Sequence, residues 1–421
     1  MKIVTDFHLH SFWSKATSKE MNLDGIAKGA KIKGLNLVGT GDFTHPMWLA
    51  ELKRKLQPVE GSGLFKYKDI WFMLTTEVGT IFEFKGKIKN IHHIIHTSSF
   101  EIVEQINEAL SKYGNLKADG RPNLNLSAPE LVEILMNISE DIMITSSHAW
   151  TPWRSVLGSK SGFNSIEECY QDQTRYIFSI ETGLSSTPDM NWRLSSLDKF
   201  TLVSNSDSHS PHPWRLGREA NVFDLKDVNY WEIIDAIKKK DKKRFLYTIE
   251  VDANYGKYHW DGHRNCGISL HPRDAVKLNN ICPKCGKKLT IGVLHRVEEL
   301  ADRPEGFIPK DAIPFKTLLP LYEIISFAWG IGELYSKKVL EEHDKLIEKF
   351  GSELNVLLNV TKEDLLKVTN EKIAEAIIKV REGRVKYKPG ADGEYGTPIF
   401  DENFKREKES FQSQKNLRQF T

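Results

Sequence analysis

Apolar residues over the first 251 positions gather into short runs that end in polar residues, with longer mixed stretches between them. The runs are 2–6, 35–40, 71–78, 91–97, 142–147, 176–181, 200–204 and 245–251. Runs of this length, rich in β-branched and aromatic residues, predict strands. The spacing of apolar positions over 22–33, 100–113 and 129–138 predicts helices. Strands alternating with helices predict an α/β domain with a mainly parallel sheet, and seven or eight such units predict a barrel.

Barrel enzymes carry their chemistry at the carboxyl ends of the strands. This chain puts ligand-type residues there repeatedly. Asp6, His8 and His10 follow the first run, Asp42 follows the second and Glu77 ends the third. His148 ends the fifth, and Asp207 and His209 follow the seventh. In extended backbone the His-x-His spacing turns both imidazoles to one face, a common start for binding Zn, Mn or Fe. Asp207-Ser208-His209 repeats the spacing, and His92, His93 and His96 crowd the fourth run, with His92 and His96 sharing parity. A hydrogen-bonded strand histidine explains any one of these. Their recurrence at one end of successive units favours a cluster of two or three ions. Ions about 3.5–4 Å apart clamp the attacking and leaving oxygens of phosphoryl transfer, and they acidify a water, so no Ser or Cys nucleophile is needed. The expected ligands are His8, His10, Glu77, His148, Asp207 and His209, with Asp207, Glu77 and His148 as the catalytic members. Asp42, His45 and His92 are further candidates.

Near residue 252 the pattern changes. Gly, His, Asn and Cys crowd 255–286, with little apolar periodicity. Three of the four cysteines, Cys266, Cys282 and Cys285, lie close together, and Cys169 stands apart as a buried thiol. His263-x-x-Cys266 and Cys282-x-x-Cys285 form two ligand pairs suited to a tetrahedral structural Zn²⁺. His259 and His271 are rivals of His263 for the fourth position. With so few apolar residues, the module needs its metal to fold. From 314 the pattern is helical, over 318–328, 334–342, 345–350, 352–358, 362–367 and 370–381. The segment 328–332 fits a helix-hairpin turn that contacts phosphate or an ordinary interhelical turn. The expected domains are thus a catalytic barrel (1–251), a zinc module (252–313), a helical domain (314–400) and a polar tail (401–421) without fixed structure. Within the tail, Gln414, Leu417 and Phe420 have the spacing of a sliding-clamp-binding box.

A hydrophobic share of 40% supplies a large core, and 59 Lys+Arg against 57 Asp+Glu give a net charge of +2 that neither demands nor excludes nucleic acid. No apolar run approaches the roughly 20 residues of a membrane helix. The opening residues carry no export signal, so a soluble intracellular monomer of cytoplasm and nucleoid is expected.

Asp-Phe-His-Leu-His-Ser at 6–11, Gly-Asp-Phe-Thr-His-Pro at 41–46, Thr-Glu-Val at 76–78 and Ser-Asn-Ser-Asp-Ser-His-Ser at 204–210 resemble the polymerase and histidinol phosphatase (PHP) superfamily. That resemblance implies a distorted (β/α)7-type barrel with a trinuclear metal site. His-Ala-Trp-Thr-Pro-Trp at 148–153, Met-Asn-Trp-Arg at 190–193, Gly-His-Arg-Asn-Cys at 262–266, Cys-Pro-Lys-Cys-Gly at 282–286 and Pro-Gly-Ala-Asp-Gly-Glu-Tyr-Gly at 389–396 resemble the endonuclease Q family, over essentially the whole chain. This narrower resemblance implies a DNA repair endonuclease. It would cut on the 5′ side of uracil, hypoxanthine or xanthine and at abasic sites, in double- or single-stranded DNA. Zn²⁺ is implied in the structural and catalytic sites, and Mg²⁺ or Mn²⁺ for activity. By position, His92 fits the fourth-strand ligand better than His93. The superfamily's Thr-Asp-His motif stands here as Gly-Asp-Phe-Thr-His, leaving Asp42, His45 or both as ligands. Chemistry at a base inside a duplex requires extruding it. Trp150, Trp153, Asn191, Trp192 and Arg193 flank metal-bearing strands and are candidates to hold such a base, or to pack the barrel rim. A carbonyl beside a ring N–H separates uracil and hypoxanthine from cytosine and adenine. Two rivals are a histidinol-phosphatase-like enzyme of small substrates and a non-catalytic, clamp-tethered damage sensor. The added modules argue against the first, and the full ligand set against the second.

Overall fold

The computed structural model describes residues 1–331 and 333–400. Seven strands are hydrogen-bonded in sequence order: β1 (Lys2–Asp6), β2 (Leu37–Gly39), β3 (Ile70–Phe84), β4 (Lys87–Thr97), β5 (Met143–Ser146), β6 (Ile177–Glu181) and β7 (Thr201–Val203). A parallel bridge between Leu9 and Ser208 joins the segment after β1 to the segment after β7. There the His10 N–H donates to Ser208 O (2.9 Å) and the Ser208 N–H to His8 O (3.3 Å). The circuit closes at that point as an irregular seven-stranded barrel. From β1 the sheet also runs outward through antiparallel β8 (Ala220–Asp224) and β9 (Phe245–Glu250) to parallel β10 (Phe315–Thr317).

Pairing is parallel at β1/β2, β2/β3, β5/β6 and β6/β7. The mainly parallel expectation fails at β4, which pairs antiparallel with both β3 and β5. Only Lys85 and Gly86 separate β3 from β4, and both have positive φ (50° and 74°). A two-residue turn of that kind makes a hairpin and leaves no room for a crossover helix. β3 also outruns its apolar segment: it is buried through Thr80 and then emerges from the core to Phe84. The strand β8 falls outside the runs read from sequence because Asn221 interrupts its apolar alternation. That Asn is fully buried, accepting from Ser204 N (2.9 Å) and donating to Ser204 O (2.8 Å).

Helices wrap the barrel where caps permit. The helix Leu23–Lys33 starts on the Asn22 side chain, which accepts from Gly25 N, and stops at Gly34 in the left-handed region (φ 97°). Ser127 and Glu130 form a capping box on Ala128–Ile138. The C-terminal helices are Leu321–Ala328, Lys337–Phe350, Glu353–Leu358, Lys362–Leu366 and Glu371–Arg381. The stretches 334–342 and 345–350, expected as separate helices, form one. A small hairpin, Lys386–Lys388 with Thr397–Ile399, ends the region expected to be helical. This bundle docks on the barrel through a buried ion pair, Lys33 Nζ to Glu353 Oε1 at 2.8 Å, with His343 Nε2 3.3 Å from the other carboxylate oxygen. Between barrel and bundle, the cysteine-bearing segment has a core of only Ala275, Cys282 and Leu289. Among the described residues no helix is long and apolar enough to cross a membrane. Gln414, Leu417 and Phe420 lie outside the described residues.

Candidate metal centre

The strand ends bring two sets of ligand atoms together, His8 with His10 and Asp207, and Glu77 with His92 and His148. Within each set the atoms lie within 4.8 Å of one another. Glu77 joins the sets. Its Oε1 is 2.9 Å from His92 Nδ1, 3.1 Å from His148 Nε2 and 3.5 Å from His8 Nε2, while Oε2 is 3.5 Å from His10 Nε2. Asp207 Oδ1 lies 3.0 Å from His10 Nε2 and 3.5 Å from His8 Nε2. His8 Nε2 and His92 Nε2 are buried without a hydrogen-bond partner. Buried polar atoms are rarely left so. Nitrogens and carboxylate oxygens converging at these distances fit close divalent ions.

A second layer of side chains aims the ligands. Glu181, at the end of β6, places Oε2 3.0 Å from His8 Nδ1 and accepts from the His148 backbone N–H at 2.7 Å. Asp42 does the same for His10, with Oδ1 3.0 Å from Nδ1, while its Oδ2 accepts from the Ser11 amide and from the Ser11 and Ser14 hydroxyls. A carboxylate on the far nitrogen fixes tautomer and ring orientation and makes the near nitrogen a better ligand. The backbone is strained at the same places. Asp42, His148 and Asp207 have φ of 49°, 26° and 46°, conformations that cost about 1–3 kcal/mol each and gather at functional sites.

Burial and charge oppose one another at the centre. Burial disfavours the imidazolium of His8, but Glu181, Glu77 and Asp207 outweigh it and hold its pKa well above the ordinary range. At His10 burial is likewise overcome, by Asp42 and Asp207, and the pKa rises to about 9. Glu77 and Asp207 are held well below the usual carboxylate range, burial notwithstanding, by the surrounding histidines. Burial pushes His92 and His209 down to about 4. The carboxylates are therefore ionised and set to receive cations, and ions binding at His8 and His10 displace protons.

The other sequence candidates fall around this centre. His209 sits beside His10, its ring 4.6 Å away and its Nδ1 3.0 Å from Asp207 O. His45 stacks on Trp13 at 4.5 Å and stands outside both ligand sets. His93 points away from Glu77 to Thr80 and Tyr170, and His96 faces Thr145. Cys169 is buried in the main core. Of the aromatic-motif candidates, Trp150 is buried with its indole N–H donated to Asn191 Oδ1 at 2.7 Å. Arg193 is paired with Glu298 and Trp192 packs on Phe315. Trp153 is 49% exposed, edge-on to Tyr258 across the rim. In the small module His263, Cys266, Cys282 and Cys285 come within 4.8 Å of one another, whereas His259 and His271 do not join them.

Two residues at the centre escaped the sequence reading. Glu181 ends a strand run, as the ligands do, and that signal was present. Arg121 lies in a loop with no such signal, yet its Nη1 is 3.4 Å from Glu77 Oε2.

Comparison with known proteins adds to this geometry. The MJ0043 C-terminal domain family matches residues 320–384. Protein MJ0043 of Methanocaldococcus jannaschii is 38% identical over 263 residues, which cover 61% of this chain and 32% of that protein, so the chain spans about a third of its length. The crystal structure of the lesion-specific endonuclease PfuEndoQ from Pyrococcus furiosus superposes with a TM-score of 0.86 and 37% identity, covering 98% of this chain and 99% of that one. Endonuclease Q in complex with a 27-mer duplex carrying an abasic lesion at the active site gives 0.85 and 37%, covering 97% and 100%.

Proposed function

We propose a function from one premise: this chain belongs to the endonuclease Q family. It hydrolyses the DNA phosphodiester on the 5′ side of a deaminated base (uracil, hypoxanthine or xanthine) or at an abasic site. The observation that carries this reading is Glu77 joined to two ligand sets, in a chain similar from end to end to a lesion-specific endonuclease.

His8, His10 and Asp207 would hold one divalent ion and Glu77, His92 and His148 a second, with His209 beside them. Bound Zn²⁺, Mg²⁺ or Mn²⁺ supplies an acidified water and neutralises charge on the phosphate. This chain's own residues do the rest. Glu181 and Asp42 keep the Nε2 atoms of His8 and His10 turned inward. Asp207, whose side chain is 32% exposed where those of His8 and Glu77 are 0–1% exposed, marks the side from which substrate enters. Exposed Trp153, in the loop that follows His148, offers a surface for an extruded base, which stacks readily on an aromatic face. His263, Cys266, Cys282 and Cys285 would hold a structural zinc, and the same segment of chain meets the Trp153 rim through Tyr258.

The test uses the full chain with Mg²⁺ or Mn²⁺ on labelled duplexes carrying one uracil, hypoxanthine, xanthine, abasic site or no lesion. A nick 5′ of the lesion and an intact control duplex are expected. Equal cutting of both would sink the lesion specificity, and hydrolysis of histidinol phosphate without DNA cleavage would favour the small-substrate rival. Asp207→Asn is expected to lower nicking at least about 10³-fold while lesion-duplex binding persists; retained cutting would remove Asp207 from the chemistry.

A further inference from the structure

Arg121 is delivered to the metal centre by a loop, not by a strand. It sits in Asp119-Gly120-Arg121-Pro122, between the helices Phe100–Leu110 and Ala128–Ile138. The loop is pinned to the segments that carry the centre. The Gly120 N–H donates to Trp13 O (3.1 Å), the Thr44 hydroxyl to Gly120 O (3.2 Å) and the Gly79 N–H to Pro122 O (2.9 Å). Asp119 Oδ1 accepts from the amides of Lys15 and Arg121, both at 3.2 Å. A Cβ on Gly120 would lie 2.4 Å from Asp42 Oδ2 and 2.5 Å from Ser14 Oγ. Only glycine lets the main chain come this close to the carboxylate behind His10.

The Arg121 side chain so placed is 18% exposed, and Glu77 is the only carboxylate within ion-pair distance of its guanidinium among the described residues. It reaches the carboxylate that joins the two ligand sets. An arginine whose single acidic partner is a metal-joining carboxylate is well paired only while that carboxylate is free. Divalent ions engaging Glu77 would compete for that carboxylate and leave positive charge in surplus around the guanidinium. A phosphodiester supplies one, and its two non-bridging oxygens match the planar donor fork.

We propose that Arg121 binds the substrate phosphate at this centre, donating to its non-bridging oxygens. The assignment rests on the reading of the centre as a phosphodiester hydrolase. The rival role is a brace that only holds Glu77 in place. Arg121→Met and Arg121→Lys separate the two. Metal content of the Mn²⁺-loaded full chain, read by mass spectrometry, should match the unsubstituted protein in both variants. Calorimetric titration with inorganic phosphate should show affinity reduced at least about 10-fold in Arg121→Met. The kcat/KM for an abasic duplex should fall about 10²–10³-fold, the range seen when one donor to a developing charge is removed. Arg121→Lys should recover part of both, as a point charge without the fork. Loss of Mn²⁺ from Arg121→Met would overturn the proposal in favour of the brace. Unchanged phosphate affinity, or no phosphate binding by the unsubstituted Mn²⁺ form, would overturn it as well. Phosphate binding that depends on Arg121 in a protein that cuts no damaged duplex would instead leave Arg121 in place and fail the substrate reading.

Discussion

The two histidines that follow the first strand owe their aim to carboxylates behind them, Glu181 and Asp42. Glu181 behind His8 is the cleaner case, because it also accepts the His148 amide and so couples both ligand sets. Glu181→Gln keeps the shape and removes the anion. Metal affinity is expected to fall about 10–100-fold, as for other supporting partners of ligand histidines, in a competitive Mn²⁺ titration; an unchanged affinity would reduce Glu181 to a space-filler. That His8, His10, Glu77, His92, His148 and Asp207 would converge was largely legible as sequence. Strand parity fixes where His8 and His10 point, and it separates His92 from His93. The supporting layer was less so. Asp42 reads as a ligand from its motif, yet its oxygens are spent on His10, Ser11 and Ser14. Trp150 and Asn191 read as base-binding candidates, yet each satisfies the other's polar group inside the core. Arg121 depends on hydrogen bonds to Trp13, Thr44 and Gly79, distances along the chain that no local pattern encodes.

Among the elements, the antiparallel β3–β4 hairpin shows what apolar periodicity misses. The apolar run stops at Val78, but burial continues to Thr80 and hydrogen bonding to Phe84. The single helix Lys337–Phe350 was hidden similarly, since His343-Asp344 looks like a break. In the fold, His343 is fully buried, its ring stacked 3.7 Å from Tyr322. It helps to hold the carboxylate that ties bundle to barrel. Burial opposes the charge on Glu353, but Lys33 and His343 outweigh it and keep its pKa below the ordinary 4.5. A carboxylate depressed on folding contributes stability that is present above the unfolded pKa and lost as pH falls through the folded one. Thermal unfolding followed from pH 7 to 3 should therefore hold steady to about 4.5 and then decline. Lys33→Met, which leaves that buried carboxylate short of its cation, should cost about 3–5 kcal/mol and start the decline at higher pH. An acid limb identical to that of the unsubstituted protein would remove the pair from docking.

For the whole molecule, the barrel's sheet runs up to the start of the bundle, because β10 returns from the cysteine-bearing segment to pair with β9 just before the helix Leu321–Ala328. The tail beyond this body carries Gln414, Leu417 and Phe420. Truncation after Phe411 is expected to weaken binding to a sliding clamp, read by surface plasmon resonance, and to spare basal nicking; unchanged clamp affinity would refute that role for the tail.

Among the described residues, one β-bridge, Leu9–Ser208, joins the two ends of the barrel. His8 and His10 lie on one side of it and Asp207 and His209 on the other. An ion held by His8, His10 and Asp207 would act there as a rivet. Occupancy at 100 times the dissociation constant would add about 2.7 kcal/mol to the closed form. The amides of His10 and Ser208 cross the joint, so hydrogen exchange at these two should quicken on chelation before the rest of the barrel responds. Ion starvation would then be felt first as a mechanical loosening at one joint, and only afterwards as lost chemistry.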